Sequence, residues 1–290
     1  MRSKQLIGWG FLSPTILVIV LIGVFPFIYV VGLSLYEYNV FSVKGWIFVG
    51  LDNFKNLVFD PRFQDSLSKT LIFVAVTCGI QLPLGLGLAM LLNQEFVGKG
   101  FFRTILVLPL SMAPVAIGSM WILITRPYVG PISYWLNTIG FTYNISENAL
   151  QSFLTTVAMD VWHWTPFVTL TFLAGLTSIP VELEEAARVD GAGRWQILRH
   201  VLIPLLTPVL ATTLFIRIMD ALRIYDEVWT LTAGGPGTAT RYVNIYLVRT
   251  TLAQNDYGYG ATMSVFLLFL TVILCNVLLS LMSKAREVVR

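Results

Sequence analysis

Residues 181–204 read VELEEAARVDGAGRWQILRHVLIP. Glu182, Glu184, Glu185, Arg188, Asp190, Arg194, Arg199 and His200 crowd into this stretch of a chain that is 56% hydrophobic and only 12% charged. Pro180 suits the first turn of a helix, where a missing N–H costs nothing, and the three glutamates then meet the positive end of the helix dipole. A short helix is therefore predicted over about 180–190. Asp190-Gly191 is a turn signal that ends it, and RWQILRHVL resumes as an amphipathic helix leading into an apolar run at Pro204. Ala186, Ala187 and Ala192 leave a face that another protein can approach closely, while the charges keep the segment out of lipid. Read from the residues alone, an ordinary charged loop between membrane spans fits equally well.

The surroundings of this segment are apolar. Mean hydropathy is +0.75, and runs of about 20 or more apolar residues are what a helix needs to cross a bilayer. These runs predict an all-α polytopic membrane protein, a single domain over 1–290, with helices near 9–36, 68–93, 102–125, 150–178, 202–228 and 260–283. The first run follows Arg2 and Lys4 like a signal peptide, but its length and the lack of a small-residue cleavage site predict a retained helix. Turn chemistry or charge marks the connections: DPRFQDS at 60–66, NQEFVGKG at 93–100, RPYVGP at 126–131 and TAGGPGTAT at 232–240. The glycines and Pro236 of the last predict a surface turn on the outer side.

Charge sets the orientation. With the N-terminus inside, Arg2, Lys4, Lys99, Arg103, Arg188, Arg194, Arg199, Lys284, Arg286 and Arg290 face the cytoplasm. Lys44, Lys55, Arg62, Lys69, Arg126, Arg241 and Arg249 face outward. That bias fits six spans, both termini inside and residues 179–201 cytoplasmic. Scattered basic residues and a net charge of +3 argue against nucleic acid as a partner. Cys78 and Cys275 lie in apolar runs without metal-ligand spacing, so no metal site and no catalytic residues are expected.

The charged segment also resembles a known family. Glu185-Ala186-Ala187, Asp190-Gly191-Ala192 and the ending Val201, Ile203, Pro204 resemble the EAA motif of bacterial ABC importer permeases. VGLDNF at 49–54, FFR at 101–103 followed by Pro109, and LTAGGP at 231–236 are similar to stretches of the MalF-like carbohydrate permeases, binding-protein-dependent inner-membrane components. The resemblance implies the type I ABC importer permease fold in a bacterial or archaeal plasma membrane, with residues 182–200 docking as a coupling helix on an ATPase subunit. It also implies the partners: a second, MalG-like permease, two ABC ATPases that use ATP and Mg, and an extracytoplasmic solute-binding protein that the GGP loop contacts. ATP hydrolysis is not expected of this chain. VGKG at 97–100 has glycine where the phosphate-cradling motif needs a hydroxyl, and no cofactor is expected to bind here.

Charges inside the spans carry the second message. Asp160 and His163 interrupt the fourth run, and Arg217, Asp220 and Arg223 the fifth; an Arg or Asp costs roughly 2.5–3.5 kcal/mol at a span centre, so such residues normally face a bundle interior or wet cavity. At 100° per residue Asp160, His163, Trp164 and Phe167 share one face, and Arg217, Asp220, Ala221 and Ile224 share another. One reading is structural: Arg217 and Asp220 neutralise each other, and His163 bonds a backbone carbonyl. The other is a substrate site in which charged groups hydrogen-bond hydroxyls and aromatics stack on a sugar face. The family resemblance implies the second, since maltose-type permeases hold substrate between the helices flanking the coupling loop, at positions matching these eight. A sugar, oligosaccharide or polyol is then expected, with glycerol phosphate as the alternative. A proton-coupled carrier using Asp160, His163 and Asp220 is a rival, but it leaves the EAA-like segment unexplained.

Overall fold

Prolines and side-chain caps decide where the apolar runs stay straight. The computed structural model describes residues 2–43 and 45–288; Lys44 and Arg290, counted in the charge balance, lie outside it. Among the described residues, Phe11–Leu33, Pro61–Asn93, Arg194–Ala221 and Tyr257–Leu278 are long and apolar enough to cross a membrane alone. Two bent pairs, Lys99–Ser111 with Pro114–Thr125 (103°) and Ala149–Thr177 with Val181–Val189 (72°), bring the number to 6 if each is one span.

Two compact units can be distinguished, and the first comprises residues 1–65 and 246–272. It contains α1 (Arg2–Ile19) and α2 (Phe25–Leu33), joined through a π-helical turn at Val20–Val24. Phe11, Ile22 and Phe25 stand exposed there, a liability in water but the solvent-matched surface in lipid. A minimal hairpin follows, with β1 (Tyr36–Glu37) antiparallel to β2 (Ile47–Phe48) and Tyr36 opposite Phe48. The Asn53 amide of α3 (Asp52–Phe59) donates to the carbonyls of Ser34 and Tyr36 at 3.2 and 2.9 Å. Asp60 accepts from the hydroxyls of Tyr246 at 2.7 Å and Tyr259 at 2.9 Å. Burial alone would raise its pKa, but these hydroxyls and the backbone N–H groups of Arg62 and Phe63 hold it below the usual carboxylate range.

The second unit comprises residues 66–245 and 273–290. It takes in most of α4 (Pro61–Asn93), which begins earlier than the apolar run suggests. The straight helix predicted over 102–125 is instead α5 (Lys99–Val107), a 3₁₀ turn at Leu108–Ser111 and α6 (Pro114–Thr125). Pro109 and Pro114 each remove a backbone donor, which ends one helix and opens the next. After α7 (Pro131–Thr138), α8 (Ala149–Thr177) runs unbroken through Pro166.

The helix predicted over 202–228 is also redrawn. It begins with α10 (Arg194–Ile197), passes a π-helical turn at Leu198–Leu202 and ends with α11 (Ile203–Ala221). The Asn244 amide donates to the Leu222 carbonyl at 2.9 Å, satisfying a helix-end acceptor. Ile224 therefore sits in a turn rather than on the helix, and α12 (Asp226–Thr232) starts afresh. α12 packs backbone-close on α6, because a Cβ at Gly118 would lie 2.7 Å from the Glu227 carbonyl oxygen.

The GGP segment is a turn only partly at the surface: Ala233, Gly237 and Thr238 are exposed, whereas Gly234 and Thr240 are buried. Ser152 and Thr240 hydroxyls donate to the Gly235 carbonyl at 3.0 and 2.8 Å. Tyr242 is wholly buried, 2.7 Å from the Thr156 hydroxyl and with its ring 4.7 Å from Phe73. Ser152 on α8 and the segment's own Thr240, with Thr70 on α4 accepting from the Val243 N–H at 2.9 Å, supply the partners that let part of this irregular backbone be buried. α13 (Val243–Val248) follows, and α14 (Tyr257–Val288) closes the chain.

Candidate functional site

Four helices bring the intramembrane polar residues together. Arg217 on α11 is fully buried and spends its guanidinium on three partners. Nη1 donates to Asp220 at 2.6 Å, Nη2 to Asp160 at 3.0 Å and Nε to Gln81 at 2.9 Å. Gln81, on α4, turns its amide back onto the Asp160 carboxylate at 2.8 Å and its carbonyl at 3.0 Å. The Trp164 ring covers the guanidinium at 4.8 Å, a cation–π contact that a desolvated site strengthens. Arg217 thus holds Asp160 as well as Asp220, a larger network than the expected Arg217–Asp220 pair.

His163 departs from the backbone-carbonyl contact of the structural reading. Its Nδ1 lies 2.9 Å from Oε1 of Glu227, across from α8 on α12, and both side chains are more than nine-tenths buried. A cavity of about 110 Å³ opens beside this network, and Asp160, Trp164, Asp220, Arg223, Ile224 and Glu227 are among its lining residues. Asp220 presents the most accessible of these acidic groups that Arg217 touches, its side chain 41% exposed.

Asp160, Trp164, Asp220 and Ile224 therefore reach the cavity, with Arg217 and His163 bonded directly behind its wall. Phe167 packs instead with the cluster that holds Val168, Phe172 and Leu206, and Ala221 is wholly buried in the core around Met159 and Trp121. Gln81 and Glu227 were not anticipated. Gln81 is signalled by a lone amide in the run TCGIQLPLG, whereas Glu227 falls where hydropathy extends the fifth span.

The charged segment forms a second feature. α9 (Val181–Val189) leaves α8 at 72°, and Glu184 pairs with Arg188 at 2.6 Å along it. Gly191 takes φ +82°, a left-handed conformation that only glycine adopts without strain. The Gln196 side chain accepts from the Gly193 N–H at 2.7 Å and starts α10. Glu185, Ala186 and Asp190 are exposed, as are the apolar Val181, Val189 and Trp195.

Spanning helices, one of them broken, a buried polar network at a small cavity and an exposed helix–glycine–helix loop define a multi-span transport permease. The profile of the family described as "Binding-protein-dependent transport system inner membrane component" matches residues 81–286. The chain belongs to this family and is the membrane-spanning permease subunit of an ABC transporter. The trehalose/maltose transport system permease protein MalF of Thermococcus litoralis is 32% identical over 260 residues, covering 89% of this chain and 88% of that protein. The sn-glycerol-3-phosphate transport system permease protein UgpA of Yersinia pestis is 34% identical over 229 residues, covering 78% and 77%. Among solved structures, a bacterial ABC transporter involved in the import of the acidic polysaccharide alginate shares the fold with a TM-score of 0.79 at 23% identity, covering 99% of this chain and 96% of that one.

Proposed function

We propose that this permease imports an uncharged polyhydroxylated solute, a sugar, oligosaccharide or polyol, through the cavity beside Asp160 and Asp220. The observation that carries the reading is the saturation of Arg217. Its guanidinium is bonded to two carboxylates and an amide, so it has little left to offer a phosphate. Asp160, Asp220, Asp226 and Glu227 outnumber Arg223 along the cavity wall, and their field opposes an anion. Hydroxyl groups, by contrast, find acceptors there, and Trp164 offers an apolar ring face. Kinship with the trehalose/maltose permease supports this class. Kinship with the glycerol-phosphate permease favours a second reading, which the charge of the wall argues against.

In this reading the whole chain acts as one permease domain of a bacterial or archaeal inner membrane, with both termini and residues 179–201 cytoplasmic. Glu185, Ala186, Ala187, Asp190, Gly191 and Ala192 form the surface that meets an ATPase subunit, and ATP and Mg are used by two such partners. A second, MalG-like permease and an extracytoplasmic binding protein complete the importer, and the binding protein delivers substrate beside the GGP loop.

Asp220→Ala tests the cavity. Arg217 keeps Asp160 as its counter-ion in this variant, so the buried charge stays balanced and assembly should persist. Uptake of trehalose or maltose by the reconstituted complex should fall by about tenfold or more, the value of a hydrogen bond to a charged group. Unchanged uptake removes Asp220 from the site, and uptake of sn-glycerol 3-phosphate in place of sugars overturns the substrate class.

A further inference from the structure

Glu227 holds an acceptor that nothing in the protein uses. Its side chain is 7% exposed, and Oε1 is engaged by His163 Nδ1 at 2.9 Å. Oε2 is buried with no hydrogen-bond partner, although nearly all buried polar atoms have one. Of the buried side-chain atoms left unpartnered among the described residues, it alone belongs to a residue lining the cavity of Asp160, Trp164 and Asp220. The close contact at Gly118 fixes the Glu227 main chain against α6, and His163 fixes the near oxygen, so the carboxylate is held in place.

An unfilled, immobilised acceptor beside a cavity is an expense unless a ligand supplies the donor. We propose that Glu227 is a specificity-determining residue that accepts a hydrogen bond from a substrate hydroxyl through Oε2, with His163 as its positioning partner. This rests on the reading of the cavity as the carbohydrate site. The contact selects for a hydroxyl at one position of the solute, because a phosphate dianion has no proton to donate and meets the carboxylate as a like charge. Nothing covalent is involved: the bond forms as the solute enters and breaks as it leaves.

The test uses the complete importer in proteoliposomes, with trehalose, maltose and their monodeoxy analogues as transported probes. Glu227→Met keeps the volume and removes both acceptors, whereas Glu227→Gln keeps a group for His163 and remains informative if the methionine variant fails to assemble. The expected result is a KM for the parent sugar raised about tenfold or more by Glu227→Met, and less by Glu227→Gln. One monodeoxy analogue, already weakened towards the wild type, should show no further loss in either variant. An equal penalty for the parent and every analogue, or no change in KM, overturns the inference while leaving the carbohydrate reading intact. Wild-type uptake of sn-glycerol 3-phosphate with no uptake of either sugar overturns both.

Discussion

Replacing Arg217 by alanine is expected to prevent the chain from accumulating as a folded membrane protein. The substitution strips the counter-ion from Asp160, whose side chain is 2% exposed, and leaves Asp220 without its 2.6 Å partner. Removing one member of a buried ion pair costs about 3–5 kcal/mol, because the remaining charge is left uncompensated in a largely desolvated place. Such a loss is a large fraction of the stability of a typical protein, about 5–15 kcal/mol. Gln81 still donates to Asp160, but a neutral amide does not cancel a charge. The yield of monodisperse protein after detergent extraction should therefore collapse. Arg217→Gln combined with Asp160→Asn removes both charges together and should restore much of the yield without restoring transport. A monodisperse Arg217→Ala protein at wild-type yield would show that the network is not what holds α4, α8 and α11 together.

The second large effect is expected outside the bundle. Gly191→Pro asks a ring that fixes φ near −65° to occupy a position at φ +82°, and it removes the N–H that donates to the Arg188 carbonyl at 3.0 Å. α9 and α10 then cannot keep their present angle, although α9 holds no buried residue and α10 only Ile197. The assembled importer should keep its yield but lose substrate-stimulated ATP hydrolysis by about tenfold or more. Glu185→Lys, a charge reversal on the exposed face of α9, should act in the same direction without touching the turn. Normal stimulation in both variants would sink the assignment of residues 182–200 to coupling.

How much of this is legible in the sequence differs from element to element. The helix–glycine–helix segment is legible because its signals are local: Pro180 before three glutamates, then a glycine at the one position that needs a positive φ. The bend between α5 and α6 shows in the sequence only as Pro109 and Pro114, and a proline alone does not decide between a break and a continuous helix, as Pro166 inside the unbroken α8 demonstrates. The fifth span is misjudged at its end for a related reason. Asn244, far along the chain, caps the Leu222 carbonyl, and no window around 222 contains that information. Within the site, Asp160 and Asp220 announce themselves as charges in oil. Glu227 lies beyond the real end of α11, on α12, and its partner His163 is 64 residues away, so only the folded chain joins them.

The helix from Arg194 to Ala221 has a further consequence. Its 28 residues form one rod about 40 Å long, with a π-helical irregularity at Leu198–Leu202 near its N-terminal end. One tip carries the exposed Arg194 and Trp195, and the other carries the Arg217 fork that clasps two carboxylates. Pro208 lies between the two tips and removes one backbone bond, so handle and clasp share a single helix with a soft point partway along it.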